Sequence, residues 1–89
     1  MIEKTVQITN KTGLHARPAS SFVNKAKTFS SAITISMNSE TANAKSMISV
    51  LGLGVDCGMN VSVAASGSDE KEAVTQLVEL LENLAKEER

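Results

Sequence analysis

Gly13-Leu14-His15-Ala16-Arg17-Pro18-Ala19 is the stretch on which the rest of the chain turns. It contains the only histidine and the only proline of the 89 residues, with an arginine two places after the histidine. Downstream, the apolar residues recur as Ala19, Phe22, Val23, Ala26 and Phe29, the three-and-four spacing of an amphipathic helix. His15 therefore sits at or just before the first turn of a helix running from about Ala16 to Lys27 or Thr28. Pro18 marks a start and not a break, because a missing N–H in the first turn has no carbonyl to serve. The amides of Ala16 and Arg17 are then expected to be unpaired and directed outward. With the positive end of the helix dipole, such amides form a ready site for a phosphate or another anion. Arg17 adds a permanent charge and a forked donor that matches phosphate oxygens.

Helices are usually capped by Ser, Thr, Asp, Asn or Gly, so a histidine at this place asks for a reason beyond stability. An imidazole in its neutral form is a nucleophile near neutral pH, and the surrounding positive field would stabilise a phosphoryl group once attached. From residue types alone, a histidine that only caps and packs is an equally good reading.

Composition narrows the field. Eighty-nine residues make one domain with a single core. Nine Lys or Arg against ten Asp or Glu leave a net charge of −1, which argues against a nucleic-acid partner. No apolar run approaches a membrane span, and Met1-Ile2-Glu3-Lys4 lacks the hydrophobic core of a signal peptide, so a cytoplasmic protein without membrane insertion is expected. The lone Cys57 reads as a free thiol, and one His with one Cys supplies no zinc-type ligand set. With two Phe and no Trp or Tyr, the core must be aliphatic. One His, and Asp only at 56 and 69, make a hydrolytic triad a remote reading.

Period-two alternation predicts strands over Ile2–Thr9 (Ile2, Lys4, Val6 and Ile8 inward, Lys4 near an edge), Ala32–Met37 (Ile33, Ile35 and Met37 inward) and Met59–Ala65 (Met59, Val61, Val63 and Ala65 inward). Asn10–Gly13 reads as a loop. Asn38-Ser39 is a turn into a short strand, Glu40–Ala44. Lys45–Gly52 begins with a good N-cap, ends at a glycine, and carries more apolar surface than one helical stripe requires, so part of Met47, Ile48, Val50 and Leu51 should stay exposed. Leu53–Gly58 is a connection punctuated by Gly54 and Gly58. The last helix opens at Gly67-Ser68-Asp69, with Asp69 and Glu72 at capping-box spacing and Val74, Leu77, Val78, Leu81, Leu84 and Ala85 as its stripe. The order is βαββαβα, an α+β chain of four strands with helices on one face. A right-handed crossover makes the first two strands parallel, with a gap that the fourth can fill in antiparallel sense. The pattern alone leaves a ferredoxin-like relative open.

The segment Gly13–Ala19 resembles the active-site signature of the HPr family, the histidine-containing phosphocarriers of the bacterial phosphoenolpyruvate:sugar phosphotransferase system. Chain length, histidine position and element order extend the resemblance over essentially all 89 residues. It implies an open-faced sandwich with strand order 1-4-2-3, and a stoichiometric carrier, not an enzyme. His15 would accept a phosphoryl group at Nδ1 from phosphorylated enzyme I and pass it to enzyme IIA components of sugar permeases. The Ala16 and Arg17 amides and the Arg17 guanidinium would hold its oxygens, with no metal or cofactor. A small, mostly apolar docking surface of Leu14, Ala16, Ser20, Met47, Ile48 and Leu51 would serve transient partners of a monomer.

Ser46 alone reads as an N-cap. It coincides, in Asn43-Ala44-Lys45-Ser46, with the serine that HPr kinase/phosphorylase modifies in low-GC Gram-positive relatives. The resemblance then implies poorer acceptance from enzyme I and binding to catabolite control protein A. Met47-Ile48-Ser49 replaces a commoner Ile-Met-Gly, and Ser39 and Cys57 also depart from the family pattern, which bears on partner preference. A regulatory-only relative would lack the active histidine, whereas a sister carrier of a nitrogen-related phosphorelay stays open.

Overall fold

The computed structural model describes residues 1–87. Along the chain run β1 (Ile2–Gln7), α1 (Ala16–Ala26), β2 (Ala32–Met37), β3 (Glu40–Asn43), α2 (Met47–Gly52), β4 (Asn60–Ser66) and α3 (Glu70–Glu87). The strands form one sheet in the order β1-β4-β2-β3, every neighbouring pair antiparallel. β1 and β2 therefore run in the same direction with β4 between them, as the alternation and the crossover rule anticipate.

Period-two patterning sorts the two faces of this sheet. On the inner face Ile33 pairs with Ala65, Ile35 with Val63, and Val6 with Val61, all of them buried. On the other face the Thr5 and Ser62 hydroxyls meet at 3.0 Å and those of Ser36 and Thr41 at 3.1 Å, a polar surface left to water. Lys4 shares the inner register with Val63 but is exposed, since β1 is an edge strand. α3 covers β1 and β4 with Ala73, Val74, Leu77, Leu81 and Leu84, while α1 packs against α2 and α3 through Ala19, Phe22, Val23 and Ala26. Each fully buried Ile, Leu or Phe in such a core contributes roughly 1.5–3 kcal/mol. Lys45 ties α1 to the start of α2 by donating from Nζ to the Phe29 carbonyl at 2.7 Å.

Several boundaries differ from the sequence reading. β1 stops at Gln7, not Thr9, because its partner β4 begins only at Asn60. Met59 lies outside β4 and is 38% exposed, its sulfur accepting from the Asp56 amide instead of facing the core. β3 ends at Asn43, whose side-chain oxygen accepts from the Lys45 amide and turns the chain before Ala44 can extend the strand. The glycine that stops α2 is Gly54, with φ +66°, and not Gly52, which lies in the last turn.

The Asp69–Glu72 capping box does not form. The Asp69 carboxylate instead accepts from the Ser30 and Ser31 amides, both at 2.9 Å, and from the Ser31 hydroxyl, while Glu72 accepts from the Gln76 side chain. Three donors converging from the α1–β2 loop outcompete the amides of the helix. Glu70, in the first turn of α3, accepts from the Gly67 amide ahead of the helix at 3.1 Å and meets the Met1 amino group at 3.0 Å.

Donors on Ser31, then Ser30, hold the Asp69 carboxyl at a pKa of about 2, below its ordinary 3.8. A depressed folded-state pKa contributes stability that is complete above the unfolded value and lost as pH falls through the folded one. Asp69→Asn should therefore lower the urea midpoint at neutral pH and remove the part of the acid destabilisation that falls between pH 3.8 and about 2. Urea titrations across that range measure it, and parallel wild-type and variant profiles would contradict it.

Candidate functional site

The loop between β1 and α1 is set by its own backbone. Asn10 is buried at 1% exposure and donates from Nδ2 to the Gly13 carbonyl at 2.8 Å, closing a tight turn. Gly13 follows with φ +62°, and a Cβ on it would fall 2.7 Å from Asp56 Cα and nearer still to the Val55 carbonyl oxygen. Only glycine permits both the left-handed backbone and that approach. The next amide, Leu14, donates to the same Val55 carbonyl at 3.0 Å. The loop before β4 thus fixes the loop before α1, and His15 emerges where the two meet.

His15 is the N-cap residue of α1, with extended backbone (φ −85°, ψ −166°), and its carbonyl accepts the first helical bond from Ala19 at 2.8 Å. Its ring makes no capping hydrogen bond and is 67% exposed. The alternative of a histidine that only caps and packs therefore has no support in its surroundings. The Ala16 and Arg17 amides precede the first helical bond, and Pro18 has no amide to offer. Arg17 is exposed in the same turn.

The remaining candidates divide by burial. Leu14 is buried at 3% exposure, its amide committed to Val55, so it belongs to the core and leaves the docking set. Ala16 is exposed, and Ser20 is half-buried with its hydroxyl 3.4 Å from Asn24 Nδ2. On α2, Val50 turns fully inward, Met47 is half-buried, and Ile48 and Leu51 are 85% and 42% exposed. Spaced three apart, Ile48 and Leu51 share one helix face. Ser46 caps α2, its Oγ accepting from the Ser49 amide at 3.4 Å.

Two residues of the site escaped the sequence reading. Asn10 looks like any loop polar residue until its burial is seen. Asp56 Oδ1 lies 3.4 Å from His15 Nε2, across 41 positions of chain that no local pattern bridges. Cys57, next to it, is a free and exposed thiol. Among the described residues no three His, Cys, Asp or Glu side chains gather as a metal site, and no helix is long and apolar enough to cross a membrane.

An exposed imidazole at a helix N-terminus, carried on an open-faced sandwich, is a surface arrangement and not an enclosed cleft. Comparison with known proteins gives the family. Residues 2–83 match the family model described as "PTS HPr component phosphorylation site". Phosphocarrier protein HPr of Vibrio cholerae is 45% identical over 84 residues, 94% of this chain and 99% of that one. A crystal structure of HPr from Thermoanaerobacter tengcongensis superposes with a TM-score of 0.95 at 47% identity, covering all of both chains. The Bacillus subtilis catabolite-repression protein Crh, described as an intertwined, swapped dimer, is 36% identical over 94% of this chain and 97% of its own, with a TM-score of 0.76. The chain belongs to the HPr family, and is a phosphocarrier of the phosphotransferase system, not a catalyst.

Because the clamp depends on an absent side chain, Gly13→Ala should lower stability by at least the roughly 1–2 kcal/mol that a left-handed residue costs. It should also displace His15. Thermal unfolding and the amide shifts of residues 14–17 check this, and a variant as stable as the parent with unmoved shifts would contradict the clamp.

Proposed function

We propose that residues 1–89 act as one HPr-like domain that accepts a phosphoryl group on His15 from phosphorylated enzyme I and passes it to enzyme IIA components of sugar permeases. The observation that carries the reading is a ring at the N-cap of α1 that is mostly exposed and makes no capping bond. The Ala16 and Arg17 amides and the Arg17 guanidinium hold the phosphoryl oxygens, so that positioning and electrostatics supply most of the rate. Transient partners dock on the surface formed by Ala16, Ser20, Met47, Ile48 and Leu51, and the carrier works as a cytoplasmic monomer. His15 favours this reading over a regulatory-only module of the Crh kind; a sister carrier of a nitrogen-related phosphorelay would use the same chemistry with other partners.

Ser46 is the second site of the proposal. A phosphate there would bring nearly two negative charges to the N-terminus of α2, stabilising that helix through its dipole while setting a like charge beside the incoming donor's phosphate. HPr kinase/phosphorylase is the modifying enzyme in this reading, and catabolite control protein A the partner of the modified form. Half-burial and the bond to Ser49 make the hydroxyl a cap that must be surrendered on modification.

Incubation with phosphoenolpyruvate and catalytic enzyme I should place one acid-labile, alkali-stable phosphate on the chain, lost in His15→Ala; no uptake, or uptake retained by that variant, would overturn the carrier assignment. Ser46→Ala should accept phosphate from enzyme I like the parent yet resist HPr kinase/phosphorylase. Undiminished labelling by the kinase would move the regulatory site elsewhere.

A further inference from the structure

We infer that Asp56 is a positioning residue for the phosphoryl acceptor: its carboxylate holds the proton of the neutral His15 ring on Nε2 and so leaves Nδ1 bare as the nucleophile. The inference rests on the carrier reading and deepens it.

Asp56 Oδ1 stands 3.4 Å from Nε2, a separation at which a carboxylate favours an N–H and disfavours a lone pair. A neutral imidazole has two tautomers, and the one adopted follows from what its other nitrogen meets. The Asp56 backbone is held on both sides. Its own Cα backs onto Gly13, the Val55 carbonyl before it accepts from Leu14 at 3.0 Å, and its carbonyl accepts from the Met59 amide at 3.2 Å. The Gly58 amide then donates to the Ile8 carbonyl at 2.6 Å, locking the 56–59 turn onto the end of β1. The contacts that place the His15 backbone thus place the Asp56 backbone beside it.

The consequences for transfer balance without any further reagent. The Nδ1 lone pair forms the new N–P bond, and the bond from phosphorus to the donor atom breaks with its electron pair leaving on the donor. The Nε2 proton stays in place, so the ring becomes a phosphorylated imidazolium whose positive charge Asp56 faces. The carboxylate meets the ring at Nε2, the nitrogen that does not take the phosphoryl group. With side chains 67% and 63% exposed, the pair is solvated, and its use is to choose a nitrogen and not to hold the fold.

Ring ¹⁵N shifts of His15, measured with phosphoryl uptake from phosphorylated enzyme I, test this in the parent, Asp56→Ala and Asp56→Asn. The parent should show Nε2 protonated and Nδ1 bare. Asp56→Ala should move both nitrogens toward a mixed population and slow uptake by about two- to fivefold, the range an exposed pair allows. Asp56→Asn keeps an acceptor oxygen, so it should retain the tautomer while losing part of the rate. Identical ring shifts and rates in the parent and Asp56→Ala, with an unchanged amide spectrum, would overturn the inference. A parent that shows the Nε2-protonated ring but takes up no phosphate would sink the carrier reading and leave the role of Asp56 in setting the tautomer standing.

Discussion

The Val55 carbonyl is the point on which the molecule's arrangement depends. It accepts from Leu14, and Gly13 presses against it so closely that no side chain could stand there. That contact joins two loops more than forty residues apart and converts a flexible approach to α1 into a fixed one. The exposed ring and the neighbouring carboxylate both follow from where this join leaves the chain.

Stability and function occupy different parts of the structure. The buried apolar face of the sheet, closed by α3 and α1, holds the molecule together, and among the described residues none of its buried side chains is titratable. The N-cap of α1, where a serine or aspartate would serve the fold better, is given to a histidine that caps nothing. A local rule broken at one place in an otherwise consistent sequence is where function is expected. α2 repeats the division on a smaller scale: Val50 belongs to the core while Ile48 and Leu51 face outward.

Where the fold could be read from sequence, it was because the determinant was local. β2 shows a clean alternation over six residues and appears with the same limits in the structure; α1 and α3 were legible from their three-and-four stripes and the proline. The helix start at Ala16, with His15 just before it, followed from Pro18 and the apolar spacing without tertiary information. Reading failed where a distant partner decided. Asp69 had the spacing of a cap, yet the Ser30-Ser31 loop claimed its carboxylate. Leu14, which the resemblance put on the docking surface, is drawn inward by the join to Val55. Asp56 was visible only as one of two aspartates, because nothing along the chain says that residue 56 meets residue 15.

The central claim is that the mouth of α1 receives the transferred group, and amide spectra of the ¹⁵N-labelled chain before and after phosphorylation test it most directly. The account predicts that the largest downfield shifts fall on the Ala16 and Arg17 amides as they take up the phosphoryl oxygens. Shifts centred on another loop, with those two amides unmoved, would contradict it.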